Sequence, residues 1–169
     1  MSHSVVITRT TTTTTSTSHL VLNTGYLKTT AGLLKLAQLI IGAVNVGIVA
    51  WYMRRNHSVY ASGNPELFFL LMAVAFLIGT FCLLVSCLVS LSTGGIISKT
   101  IYELVYHAIA FILILTSSII LLSDVTSGRY YSSLKDAYMI ASILGIINAA
   151  LYLFSTILAP EILPRNLSA

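Results

Sequence analysis

The sequence predicts an all-α protein, a four-helix bundle that crosses the membrane four times, and three observations predict it. Of the 169 residues, 56% are hydrophobic and only 8% are charged, whereas soluble domains carry roughly 25% charged residues. Four uncharged stretches of 18 to 32 residues separate the charged positions, and a bilayer core needs about 20 apolar helical residues. The stretches are continuously hydrophobic and lack the alternation of a transmembrane strand, so each one predicts a helix.

The loops between these stretches are short, so consecutive spans are expected to be antiparallel neighbours, with both termini of the chain on the same side. A Ser/Thr-rich tail precedes the spans, and its composition predicts disorder because it offers little apolar area to bury. The predicted organisation is a tail at residues 1–30, a four-span domain at 31–160 with spans at about 33–52, 67–91, 101–122 and 137–158, and a short C-terminal tail at 161–169.

Charged residues, glycines and prolines mark the predicted ends of the spans in order along the chain. Arg54 and Arg55 close the first span, and Pro65 suits the first turn of the second. The Thr93-Gly94-Gly95 sequence ends the second span. Pro160 and Pro164 are expected to end the fourth, because proline cannot continue the helical hydrogen-bond ladder.

Orientation across the membrane does not follow from the charges. Five Lys or Arg residues fall on the side of the termini and four on the other side, a difference too small for the positive-inside rule to decide. The two N-glycosylation sequons, at Asn56 and Asn166, fall on opposite sides, so at most one of them can be modified.

Small residues recur four apart on three of the predicted spans. Helices approach closely in lipid where small residues line one face. We expect these faces to pack the helices of the bundle together, with self-association into a homo-oligomer as the alternative use. The predicted helix-packing residues are Ala43 and Gly47, Ala75 and Gly79, and Ala141, Gly145 and Ala149.

Five amide, acidic or imidazole side chains lie within the predicted spans. Gln38 and Asn45 are seven apart and share a face of the first span, and Asn148 lies midway along the fourth; we expect them to form hydrogen bonds between helices. Glu103 and His107 are four apart near the start of the third span. We interpret them as an anchoring pair bonded to neighbouring helices, with proton coupling or a pH switch as the alternative.

The sequence motifs exclude several classes of function. There is no nucleophile with a base, no Gly-rich phosphate loop, no metal-ligand cluster and no selectivity filter, so we expect no enzyme activity and no cofactor. The net charge of +4 suits anionic lipid headgroups rather than nucleic acid. Two segments fit the loose cholesterol-contact pattern, Leu22–Lys28 and Val125–Lys135, so cholesterol is one candidate lipid.

Three of the spans resemble the MARVEL-domain family over about residues 30 to 160. The first contains the segment Gly32–Gly42, an apolar helix start with a Gln and a following Gly. The third places Tyr106-His107 before a small-residue face, and the fourth contains the segment Asn148–Tyr152. The resemblance is to the MAL and chemokine-like-factor-like branches. It implies that the protein lies in the plasma membrane or vesicle membranes, with both termini on the cytoplasmic side. In that orientation Asn56 is the sequon on the external side.

The resemblance also implies a role in membrane-domain organisation, vesicle trafficking, membrane apposition or cell junctions. Because the loops leave little extramembrane surface, we expect lateral contacts with lipids and other membrane proteins. Two alternatives stay open: an accessory subunit of a channel or transporter, and a small proton-coupled transporter that uses Glu103 and His107.

Overall fold

Four long helices account for nearly all of the described part of the chain. The computed structural model describes residues 21–22, 24–55, 64–90, 96–128, 130 and 132–161. Each helix is long and apolar enough to cross a membrane, which confirms the predicted four-helix membrane bundle. The sequons at Asn56 and Asn166 lie outside the described residues, as does most of both predicted tails. The helices are α1 (Thr30–Arg55), α2 (Pro65–Leu88), α3 (Ile96–Thr126) and α4 (Ser132–Glu161).

The four helices form a closed ring in which each one packs against its neighbours in the chain and α4 returns to α1. α1 and α3 therefore lie diagonally opposite each other, as do α2 and α4. Side-chain contacts show that α1 and α4 are antiparallel, because Gln38 bonds Ser155 while Gly42, one turn further along α1, lies beside Asn148, further back along α4.

The ends of the helices differ from the predicted ends of the spans by up to five residues. Thr29 caps α1 by accepting a hydrogen bond from the Gly32 N–H at 3.1 Å, so the helix begins at Thr30. A short strand, β2 (Val89–Ser90), follows α2 and pairs antiparallel with β1 (Val21–Leu22), which precedes α1. α4 ends at Glu161, one residue past Pro160, because the missing N–H of Pro160 removes only one hydrogen bond of the ladder; Pro164 lies outside the described residues.

The exposed surface of the bundle is apolar and much of the interior is polar, the reverse of a water-soluble protein. On α1 the buried residues are Gly32, Lys35, Gln38, Gly42, Asn45 and Val49, whereas Ile40 and Trp51 on the other face are 56% and 66% exposed. Hydrocarbon is the solvent for the outer face, so polar groups are turned inward to find partners. Apolar packing fills the space around them, in clusters centred on Phe69 and Phe76.

The predicted helix-packing residues divide into an inner and an outer set. Ala141, Gly145 and Ala149 are buried, and a Cβ on Gly145 would lie 2.7 Å from Cε2 of Phe69. A Cβ on Gly79 would meet the ring of Tyr106 at the same distance.

Ala43, Gly47 and Ala75 instead face outward, so the prediction that they pack within this bundle is wrong. Spacing four apart defines a helix face but does not say which face turns inward. On α1 the inward face is taken by Gln38 and Asn45, whose amides are costly to leave in hydrocarbon.

Candidate functional site

Polar side chains run through the middle of the bundle from one end to the other, and we call this set the polar interior. In the bilayer core a polar group has no water to bond, so each must be satisfied within the protein. An arrangement of this kind is the default place to look for function in a membrane protein. The buried polar or charged residues of the described part are Lys35, Gln38, Asn45, Glu66, Thr80, His107, Ser117, Ser118, Ser142 and Asn148.

An ion pair joins the diagonally opposite helices α1 and α3 near the end of the bundle where both helices begin. The ammonium of Lys35, which is 2% exposed, bonds the carboxylate of Glu103, which is 22% exposed. Lys35 also donates a hydrogen bond to the Tyr26 hydroxyl at 2.8 Å, and its ammonium lies 5.5 Å from the centre of that ring. The lysine is thus held by three interactions with residues outside α1.

Tyr26 lies in the short 3-10 turn before α1, outside the membrane-spanning segments. Burial raises the pKa of its hydroxyl, and its interactions with the Cys87 thiol and the Glu103 carboxylate raise that pKa further. A hydroxyl that keeps its proton at all physiological pH values accepts from the Lys35 ammonium without adding charge. This turn therefore closes the end of the bundle over the ion pair.

His107 lies one turn further along α3 and is fully buried. Its Nδ1 lies 2.6 Å from the backbone oxygen of Glu103; since a carbonyl only accepts, Nδ1 carries the hydrogen. The imidazole ring packs against the rings of Tyr106 and Tyr152, with centroid distances of 5.3 and 5.8 Å. His107 and Glu103 are thus brought together through the backbone of α3 rather than through their two side chains.

A cluster of hydroxyls links α2, α3 and α4 beside His107. The Thr80 hydroxyl lies 2.6 Å from the Tyr152 hydroxyl and 3.0 Å from that of Tyr106. Tyr106 also donates to the backbone oxygen of Phe76 at 2.9 Å. Three hydroxyls and one carbonyl therefore satisfy one another, and the two tyrosine rings pack edge to face against Phe76.

The three amide side chains predicted to bridge helices are all buried, two on α1 and one on α4. Gln38 donates to the Ser155 hydroxyl at 2.8 Å. Asn45 and Asn148 are 2% and 3% exposed, and the carboxamide oxygen of each has no hydrogen-bond partner among the described residues.

A second carboxylate is buried at the other end of the bundle. Glu66, in the first turn of α2, is 3% exposed and accepts a hydrogen bond from the Tyr130 hydroxyl at 2.7 Å. Tyr130 lies between α3 and α4, outside the spans, and its ring packs edge to face on Tyr138. Burial raises the pKa of Tyr130, and the hydrogen bond and charge of Glu66 raise it further.

Replacement of Tyr130 by phenylalanine is expected to cost about 2 kcal/mol at neutral pH, because it removes a hydrogen bond to a charged group. The folded-state pKa of Tyr130 is raised, so its contribution is full below the unfolded pKa of about 10 and falls as pH rises above it. The penalty of Tyr130→Phe should therefore shrink above about pH 10. Thermal unfolding in detergent over this pH range measures it, with Tyr102→Phe, an exposed tyrosine, as the control. A penalty equal at all pH values would contradict the assignment.

Sequence reasoning missed several residues of the polar interior. In the sequence, Lys35 and Glu66 only mark the ends of uncharged stretches. Tyr26 and Tyr130 fall only within the two segments that fit the cholesterol-contact pattern. One signal in the sequence pointed to the ion pair: Lys35 lies two residues inside the predicted first span, and Glu103, of opposite charge, lies two residues inside the third.

The contacts described in the polar interior are an ion pair, hydrogen bonds and ring packing between helices. Within the described ranges, no group of three His, Cys, Asp or Glu residues could hold a metal ion.

At the surface, a cavity of about 410 Å³ is lined by Trp51, Arg54 and Arg55 at the end of α1. An aromatic ring and two cations suit the headgroup region of a bilayer.

A protein-family model described as a membrane-associating domain, MARVEL, matches residues 26–158. Comparison with curated proteins and with solved structures gave no match. The matched range begins at Tyr26 and ends in the last turns of α4, so it contains the whole polar interior.

Proposed function

The chain belongs to the MARVEL family of membrane-associating domains, and from that premise we propose that it organises membrane domains through lateral contacts with lipids and other membrane proteins. In this role it acts without catalysis, in vesicle trafficking, membrane apposition or cell junctions. It acts in the plasma membrane and vesicle membranes, and both of its termini lie on the cytoplasmic side.

One observation carries the proposal: the polar side chains lie inside the bundle, and all four helices present apolar side chains on its outer surface. Large hydrophobic side chains are 39% to 66% exposed. Such a surface contacts lipid tails or other transmembrane helices. The exposed large hydrophobic residues include Ile40 and Trp51 on α1, Leu71 and Phe81 on α2, Ile112 and Ile119 on α3, and Ile140 and Phe154 on α4.

Part of this surface carries only small side chains, so the backbone of a partner helix can approach it closely. Ala43 and Gly47 are one turn apart on the outer face of α1, and among the described residues no side chain and no backbone of another helix lies within 4 Å of where a Cβ of Gly47 would be. Ala75 is exposed on the neighbouring helix α2. In lipid, faces of this kind favour helix association through van der Waals contact.

The proposal is tested by proximity labelling in cells with the native chain, Gly47→Leu and Ala75→Leu. Because Gly47 touches nothing in the bundle, a leucine there is expected to leave folding and membrane delivery intact. The labelling of specific membrane neighbours, including a second tagged copy, is expected to fall several-fold. Val44→Leu, which adds only one methylene group to a side chain already exposed beside Gly47, is the control and should label as the native chain does.

Two results would contradict the proposal. One is a labelled set identical to that of an unrelated four-span protein expressed at the same level. The other is a single dominant channel or transporter partner, which would favour the accessory-subunit alternative. The proton-coupled transporter is less favoured, because Lys35 already compensates the charge of Glu103 and the pair joins two helices.

A further inference from the structure

Four buried polar atoms of the polar interior have no hydrogen-bond partner among the described residues. They are Oε1 of Gln38, Oδ1 of Asn45, Nε2 of His107 and Oδ1 of Asn148. The four residues are at most 3% exposed. Buried polar groups in proteins are nearly always bonded, either to protein or to ordered water, and an unpaired one in a membrane costs several kcal/mol. Four such atoms in one bundle therefore require an explanation.

All four atoms are acceptors. The three carboxamide oxygens accept only, and Nδ1 of His107 holds its hydrogen toward the backbone oxygen of Glu103 at 2.6 Å. In the neutral imidazole this leaves Nε2 as a bare lone pair. The missing partner at each atom must therefore be a hydrogen-bond donor.

The helix register places the four acceptors on two levels. Gln38 bonds Ser155 between the antiparallel helices α1 and α4. Seven residues forward along α1 is Asn45, and seven residues back along α4 is Asn148, so the register puts these two residues at one height, a second level about 10 Å further into the bundle. Gly42 lies just before this level, where a Cβ would lie 3.8 Å from Nδ2 of Asn148 and 3.3 Å from Cδ1 of Leu77.

His107 lies at the level of Gln38. α1 and α3 run in the same direction and are registered by the ion pair between Lys35 and Glu103. One turn along each helix from that pair leads to Gln38 on α1 and His107 on α3, and the His107 ring also contacts Tyr152, one turn from Ser155 on α4.

We propose that each level binds one internal water molecule, the first donating to Gln38 Oε1 and His107 Nε2, and the second to Asn45 Oδ1 and Asn148 Oδ1. A water molecule has two O–H donors, and each level offers two acceptors. This matches the two to four polar partners that a buried water needs. The bundle is thus a membrane domain with a hydrated centre.

The burial of the site selects water over other donors. Each of the four acceptor atoms is sealed from the surface, so a lipid hydroxyl or an amine attached to a bulky group cannot reach them. A hard cation such as Ca²⁺ or Mg²⁺ takes about six or more oxygen ligands, and the unpaired groups supply two carboxamide oxygens at the second level and one at the first.

Nuclear magnetic resonance on the full chain in lipid nanodiscs tests the proposal. Magnetisation transfer from water is expected at the side-chain amides of Asn45 and Asn148. The backbone amide of Val49, fully buried among apolar groups, should show none and serves as the internal control. Transfer from lipid signals to the Asn amides, or no transfer from water in a folded sample, would overturn the proposal.

A double-mutant cycle at Asn45 and Asn148 gives an independent measurement. Either leucine substitution alone leaves the other acceptor and the shared water unsatisfied, so Asn45→Leu and Asn148→Leu should each lower the melting temperature. The double variant removes both acceptors and is expected to melt no lower than the worse single variant. Additive losses would show that the two residues share no ligand and would overturn the proposal at that level. Asn45→Ser, which keeps an acceptor, should melt above Asn45→Leu.

Discussion

Replacement of Glu103 by leucine is expected to destabilise the protein by about 3 kcal/mol, because it leaves the ammonium of Lys35 buried without a counter-charge. This is the lower end of the range for breaking a buried ion pair. Glu103 is 22% exposed, and the Tyr26 hydroxyl still accepts one hydrogen bond from the lysine. Reversible unfolding in mixed detergent micelles measures the loss.

The paired variant Lys35→Met with Glu103→Leu separates the loss of a contact from the cost of an orphaned charge. Removing both charges together is expected to bring stability within about 1 kcal/mol of the native protein, since apolar replacements of buried pairs are often neutral. Equal destabilisation by the single and double variants would show that the loss comes from the missing contact between α1 and α3 and not from an orphaned charge. Glu103→Gln, which keeps a hydrogen-bond acceptor, should fall between the native protein and the leucine variant.

Replacement of Gly145 by leucine is expected to cost about 3 kcal/mol or more, because α4 has no room for a side chain at this position. A Cβ there would lie 2.7 Å from Cε2 of Phe69 and would also meet the hydroxyl oxygen of Ser118. Phe69 is 1% exposed and lies in the larger apolar cluster, so its ring cannot move aside without repacking α2, α3 and α4.

The same substitution at Gly47 provides the matched control for Gly145→Leu. Both are glycines of membrane helices, but Gly47 faces outward with no atom near its missing Cβ. Thermal unfolding in detergent should show a large loss for Gly145→Leu and little change for Gly47→Leu. Similar melting temperatures for the two variants would mean that the described packing between α2, α3 and α4 is wrong.

The transmembrane bundle could be predicted from the sequence because hydrocarbon imposes a simple rule on the chain. Uncharged stretches long enough to cross a bilayer must be helices, since no other open structure satisfies its backbone in lipid. This rule gave four helices, and Gln38, Asn45 and Asn148 were recognised as polar residues that need partners. The rule does not determine the exact ends of the helices, because a helix end depends on one or two hydrogen bonds. α4, for example, continues one residue past Pro160.

The partners of the polar residues could not be predicted. Gln38 was expected to bridge helices, but its bond to Ser155 depends on which helix lies beside α1 and at what height. Lys35 and Glu103 are 68 residues apart, and only the ring of four helices brings them together. Small-residue spacing likewise failed to separate Gly145, which faces inward, from Gly47, which faces outward.

The sequence by itself determined that this chain belongs in a membrane, crosses it four times and must hide its polar groups, because the cost of transferring each residue between water and hydrocarbon depends on the residue alone. The tertiary structure decided which polar group meets which. That depends on the rotation and height of each helix relative to the others, and these are fixed by close packing at residues such as Gly145 and Phe69. The ion pair, the hydroxyl cluster and the unpaired acceptors are consequences of that packing.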